Sequence, residues 1–152
     1  MRFELMGLCF TSGEQGLPFA HDPWLVVLSY VTAAFGSYVA LDMAERLRST
    51  SGRIRVAWHA GAATALGGGI WSMHFIGMLA FHAPVPLSYA PGATVLSLAI
   101  AVAFVAAGVE VVRRGAVTPA RILPAGLLVG LGVAAMHYTG MAAAEFHPVV
   151  RA

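Results

Sequence analysis

Charge is what this chain has least of. Asp, Glu, Lys and Arg make up only 11% of its 152 residues, where a soluble domain carries about a quarter. Lysine is absent, so all nine basic residues are arginine. Cysteine occurs once, at Cys9, which excludes an intrachain disulfide and leaves the redox compartment unread. Residues 1–20 lack the basic start, continuous apolar core and small-residue cleavage site of a signal peptide, and read as a short polar lead-in. There is no pair of carboxylates, nucleophile with a neighbouring base, or phosphate loop, so the expectation is that the chain is not an enzyme. Nucleic acid is not an expected partner.

Apolar residues supply 59% of the chain and the mean hydropathy is +0.77. That balance places it among membrane proteins, with the lipid bilayer as its first partner. Four runs, near 24–41, 56–81, 92–112 and 122–144, approach or exceed the roughly 20 residues that cross a bilayer. Only a helix satisfies its own backbone hydrogen bonds in lipid, so the expected fold is all-α and polytopic. The breaks fall at Ser49-Thr50-Ser51-Gly52, at Pro84, Pro86 and Pro91, and from Arg113 through Pro119. Pro124 is expected near the start of the fourth helix, where a missing N–H matters least.

Arginine placement sets the orientation. Arg46, Arg48, Arg53 and Arg55 separate the first two runs, and Arg113, Arg114 and Arg121 the last two; the stretch 82–91 carries no charge. By the positive-inside rule both arginine-rich connections are cytoplasmic. Both chain ends, including a short tail at 147–152, are then expected on the outer side.

One short string occurs twice. Met73-His74-Phe75-Ile76-Gly77-Met78 returns as Met136-His137-Tyr138-Thr139-Gly140-Met141, each time in a long apolar run. Leu28-Ser29 also aligns with Leu96-Ser97, and Asp42 with Glu110, both at an offset of 68 residues; the Met-His pairs align at 63. The chain is therefore two tandem helical hairpins of the same orientation, a parallel repeat.

An ionisable residue inside a membrane segment is a functional-site hypothesis by default. At about 100° per residue, Met73, Gly77, His74 and Met78 fall near 0°, 40°, 100° and 140° on one helix face. Phe75 and Ile76 fall outside that stripe. Met136, Gly140, His137 and Met141 form the same stripe in the second copy, with Tyr138 and Thr139 turned away. The positions that differ between copies lie off the stripe. Imidazole and thioether suit a soft cation, and Cu(I) best among common ions. The competing reading is packing, since Met fills gaps and Gly lets helices approach, as Gly126/Gly130 and Gly61/Ala65 would also do.

Other polar residues have ordinary assignments. Asp42 and Glu110 each precede an arginine by four residues, Arg46 and Arg114, and read as surface ion pairs. His59 is assigned to the inner interface, and His21, His82 and His147 to outer helix ends. Trp24, Trp58 and Tyr89 read as interface anchors, and Ser29 and Ser97 as partners in hydrogen bonds within or between helices.

These residues resemble the MHYT domain, a bacterial integral-membrane sensor module named for its tetrapeptide. Met136-His137-Tyr138-Thr139 matches it letter for letter, and Met73-His74-Phe75 is a common variant. The flanks Trp71-Ser72 and Gly140-Met141-Ala142, and the entry His21-Asp22-Pro23-Trp24, are also similar to the family, so the likeness covers residues 21–146. The resemblance implies a sensor in the bacterial inner membrane that binds copper, as Cu(I) or Cu(II), and thereby detects oxygen, carbon monoxide, nitric oxide or redox state. It also implies a cytoplasmic output partner, either an enzyme of cyclic-dinucleotide metabolism or a histidine kinase. The ligand set carried over by position is Met73, His74, Met78, Met136, His137, Tyr138 and Met141. Tyr138 sits off the stripe, and Phe75 offers no phenol in the first copy. Family domains usually carry three motif copies over six or seven helices, where this chain has two over four, so it is expected to be a fragment. The rival functions are a ligand-free membrane assembly module and a copper-handling or transport protein.

Overall fold

The computed structural model describes residues 20–82 and 87–146. The polar lead-in, apart from Ala20, and the tail at 147–152 lie outside the described residues. Four helices follow in order: α1 (Pro23–Ser49), α2 (Gly52–Leu79), α3 (Pro91–Arg113) and α4 (Pro119–Ala142). Each hairpin packs along its own length, and the two meet mainly through α2 and α3. α1, α3 and α4 are long and apolar enough to cross a membrane. α2 has 28 residues but is interrupted by Gly67-Gly68-Gly69, Trp71, Ser72 and His74. It packs against both α1 and α3, which covers part of its surface with protein instead of lipid.

Helix ends differ from the apolar runs for a simple reason. Hydropathy marks where lipid is, whereas helix length follows backbone hydrogen bonding. α1 continues eight residues past 41 through a polar stretch in which Arg46 Nε donates to Asp42 Oδ2 at 2.8 Å. Arg53 and Arg55 lie inside α2, leaving Thr50 and Ser51 as the whole turn between α1 and α2. Gly52, with φ of 61°, takes the left-handed conformation that this reversal requires. Proline opens α1, α3 and α4, where its fixed φ suits the first helical position. Pro124 is not a helix-start residue as expected: α4 begins five residues earlier, so Pro124 lies inside the helix and leaves the Ala120 carbonyl without its usual donor.

Each hairpin is closed at the end opposite the arginines by a short antiparallel ladder. β1 (Ala20–His21) pairs with β2 (Phe81–His82), and β3 (Leu87–Tyr89) pairs with β4 (Ala144–Phe146). The Asp22 N–H donates to the Ala80 carbonyl at 2.9 Å, and the Ala90 N–H to the Ala143 carbonyl at 2.8 Å. These equivalents obey the sequence offsets of 68 and 63, so the repeat extends to individual backbone bonds. His21 and His82 stand in the first ladder rather than at bare helix ends.

Packing relies on small residues. The buried core contains Ala40, Ala62, Ala63, Ala101, Ala125 and Gly67, while Trp24, Tyr30, Phe35, Tyr38, Leu123 and Leu127 are exposed. A Cβ on Gly36 would sit 2.8 Å from the Ala65 carbonyl oxygen and 3.0 Å from Gly69 Cα. One on Gly67 would meet Val102 Cα at 2.8 Å, and one on Gly108 would meet the Ala125 carbonyl oxygen at 3.2 Å. Gly61 does pack, against the Met43 sulfur, but the expectation for Gly126 and Gly130 fails: both face open space. We expect Gly36→Val to force α1 from α2 at a cost of about 1–3 kcal/mol. Gly130→Ala should be neutral, or stabilising by about 0.5–1 kcal/mol. Unfolding in detergent would measure both, and equal stability of the two variants would contradict this packing.

Candidate metal centre

α2 and α4 both run from the arginine-rich end to the ladder end, so His74 and His137 arrive at the same level. Their ring centroids are 4.9 Å apart, with planes crossing at 72°. His74 Nε2 is buried and has no hydrogen-bond partner. A buried polar atom left unpaired is costly, and demands an explanation. It lies beside Gly140, where an added Cβ would meet His74 Nε2 at 3.3 Å and the Phe75 ring at 3.4 Å. The bare backbone of α4 at Gly140 is thus what lets His74 approach.

The two stripes are not used alike. Met73, His74 and Met78 are half-buried, and the notch at Gly77 faces open space. Met136 is 1% exposed, whereas His137 and Met141 are on the exposed side of α4. The structure therefore brings His74, His137 and Gly140 together, sinks Met136 into the bundle and leaves Met141 outward. Tyr138 is 74% exposed, its ring edge-on to His137 at 5.4 Å, and it does not turn into the pair.

Phe75 was expected off the working face, yet it lies against Gly140 beside His74. Its ring is 4.6 Å from Trp71 and 5.7 Å from Tyr89, forming an aromatic wall behind the imidazole. Tyr89 is accordingly part of this wall rather than a free interface anchor. The Phe/Tyr difference between the copies follows environment: the first faces the neighbouring hairpin, and the second faces out.

Sequence reasoning missed Trp71 as a structural partner of the site. Its Nε1 donates to Ser97 Oγ at 3.0 Å, and Ser97 in turn donates to the Thr94 carbonyl at 2.7 Å. Ser97 is fully buried, so this bond ties α2 to α3 three residues before His74. Among the described residues Ser29, its repeat equivalent, donates within its own helix, to the Val26 carbonyl. A Trp beside the motif in one copy, with Ala134 at the matching place in the other, was the available signal.

The donor set fits a soft cation. Two imidazoles are adjacent and thioethers flank them in sequence; among the described residues no group of three or more His, Cys, Asp or Glu is arranged to hold a metal ion, so any site here would rest on the imidazole pair and sulfur. Hard ions that want oxygen have nothing here. At the far end Glu110 binds Arg113 and Arg114, and His59 Nδ1 lies 3.4 Å from its carboxylate. His59 is therefore committed to α3, and Glu110 is more enclosed than Asp42, whose ion pair with Arg46 is the exposed one expected.

A family described as a bacterial signalling protein N-terminal repeat, MHYT, matches residues 67–125 and 130–152, more than half of the chain. The chain belongs to the MHYT family. It is 48% identical over 129 residues to the bifunctional diguanylate cyclase/cyclic di-GMP phosphodiesterase MucR of Pseudomonas aeruginosa, covering 85% of this chain and 19% of that protein. It is 45% identical over 123 residues to the cyclic di-GMP phosphodiesterase NbdA of the same organism, covering 81% and 16%. The signaling protein YkoW of Bacillus subtilis is 32% identical over 125 residues, covering 81% and 15%. The chain thus spans less than a fifth of the length of these relatives. No solved structure matches it. It is a multi-pass membrane domain of the kind that signalling proteins carry.

We expect a double-mutant cycle of Trp71→Phe and Ser97→Ala to return a coupling of about 0.5–1.5 kcal/mol. Additive effects in detergent unfolding would show that the bond does not join the hairpins.

Proposed function

We propose that this MHYT domain senses through a copper ion held by His74 and His137, with thioether ligation from Met73, Met78 or Met136; the outward Met141 is left out of the set. The observation that carries the reading is the buried, unpartnered His74 Nε2 beside a second imidazole. A buried imidazole nitrogen without a partner is poorly explained by packing alone, and in the tautomer protonated at Nδ1 it offers the lone pair that a soft cation needs. Bound copper would supply a redox couple and a position for oxygen, carbon monoxide or nitric oxide. The protein's part is to hold the two rings. Gly140 makes room for His74, the Trp71–Ser97 bond fixes α2 on α3, and the exposed face of His137 gives access. Tyr138 is left out of this ligand set.

The arginine-rich end is placed in the cytoplasm and the histidine pair toward the outer face of the inner membrane, as the positive-inside rule directs. The names of the Pseudomonas relatives favour an output in cyclic di-GMP metabolism over a histidine kinase, supplied by a part of the signalling system other than these helices. A change at the imidazole pair would shift α4 against α2 and so bias the helix ends that face the output. Copper transport is the weaker alternative, because His59, the next imidazole along α2, is engaged with Glu110. A ligand-free packing module is the remaining alternative, favoured by the fit of His74 against Gly140.

Metal analysis of the protein purified in detergent tests the reading. Wild type should carry about one copper per chain, by the single-pair geometry of a soft-ligand site. His74→Ala and His137→Ala should each lose it, while Tyr138→Phe keeps it. A metal-free wild type that refuses added Cu(I), or a His74→Ala variant that retains copper, would sink the proposal.

A further inference from the structure

At the arginine-rich end α1 stands apart from α3 and α4, while α2 stays joined to α3 through His59 and Glu110. A slot of about 630 Å³ opens there between α1 on one side and α3 and α4 on the other, walled by Leu41, Val109, Val112, Ile122, Gly126 and Val129. The stretches 41–48 and 122–129 that flank it each run roughly 10 Å along their helices. Leu41 is 71% exposed and Ile122 51%, so the slot opens where the acyl chains of a bilayer would lie. Beside it is a smaller polar cup of about 280 Å³ bounded by Arg48, Arg55, Arg113 and the Thr50 side of the turn. Leu47, Arg48 and Arg113 belong to both, so the apolar slot leads into the basic cup.

Two observations at this place are otherwise unexplained. Arg48 and Arg55 make no ion pair among the described residues, although Asp42 and Glu110 engage the arginines nearest to them. Arg113, the third arginine of the cup, is held by Glu110, and Glu45 stands at the slot, so Arg48 and Arg55 carry the cup's positive charge. Gly126 is the second. Glycine is a poor helix former, and at Gly126 no helix crosses, since an added Cβ would meet nothing within 4 Å. What its missing side chain does is keep the slot wide.

The geometry points to a site for one anionic phospholipid, its phosphate on Arg48 and Arg55 beside the Glu110-bound Arg113 and one acyl chain in the slot. Guanidinium groups match phosphate oxygens in pairs, and a basic pocket between transmembrane helices is a recognised form of headgroup site. An apolar stem of this length beside a cationic mouth selects a lipid over a free anion, which has no use for the stem. Occupancy would brace α1 against α3 and α4, which it otherwise touches little.

Native mass spectrometry of the full chain in detergent, with equimolar phosphatidylglycerol and phosphatidylcholine of identical acyl chains, tests this. Wild type should retain one phosphatidylglycerol in preference to phosphatidylcholine. Arg48→Gln with Arg55→Gln should weaken phosphatidylglycerol binding on the order of 30-fold, toward the neutral lipid. Gly126→Leu should weaken retention of both lipids by filling the slot, with helicity by circular dichroism unchanged. Equal retention of the two lipids by wild type, an intact preference in the double variant, or unchanged binding in Gly126→Leu overturns the site. Full displacement by inorganic phosphate also overturns it, marking a site for the free ion. Should the arginine variant fail to fold, Gly126→Leu decides.

Discussion

Everything in this bundle depends on backbone meeting backbone. Lipid tails are as apolar as leucine, so helices gain nothing by burying leucine against each other and must gain it from close packing. Gly36 against Gly69 closes the first hairpin, Gly67 against Val102 joins the hairpins, and Gly108 against Ala125 closes the second. The same device recurs at the ladder end, where Gly140 lies against an imidazole instead of another helix backbone. Helix approach and the approach of His74 to α4 are thus produced by one kind of residue, and a side chain at any of these crossings would alter the spacing.

A duplicated sequence has here produced unequal halves. His74, on α2, is half-buried against α4 and an aromatic wall, while His137 lies on the exposed side of α4. Asp42 holds one exposed arginine, whereas Glu110 gathers two arginines and His59. In both cases the more enclosed member lies at the seam between hairpins. The seam is where a repeat must differ from its copy, because only one unit contributes each side of it.

Much of this was readable from the residues. The arginine clusters, the four apolar runs and the offsets of 68 and 63 gave the hairpin order and placed the two histidines on one level. The stripe geometry correctly put Tyr138 away from the pair. What escaped were features that depend on the neighbour rather than the chain itself. Helical wheels cannot tell that Phe75 lies against Gly140, that Gly126 packs against nothing, or that Trp71 reaches a serine on another helix. The ladders escaped for a different reason: two or three residues are too few for an alternating pattern to register. Hydropathy likewise stopped α1 at the membrane edge, though its hydrogen bonds continue to Ser49.

Those ladders carry a further implication. Because the entry and exit of each hairpin are stapled to one another by backbone bonds, a unit is self-contained and returns the chain to the side it came from. Duplicating or deleting such a cassette leaves the sidedness of every downstream segment as it was. Lineages can therefore change the number of hairpins by recombination without having to invert whatever machinery the membrane part is joined to.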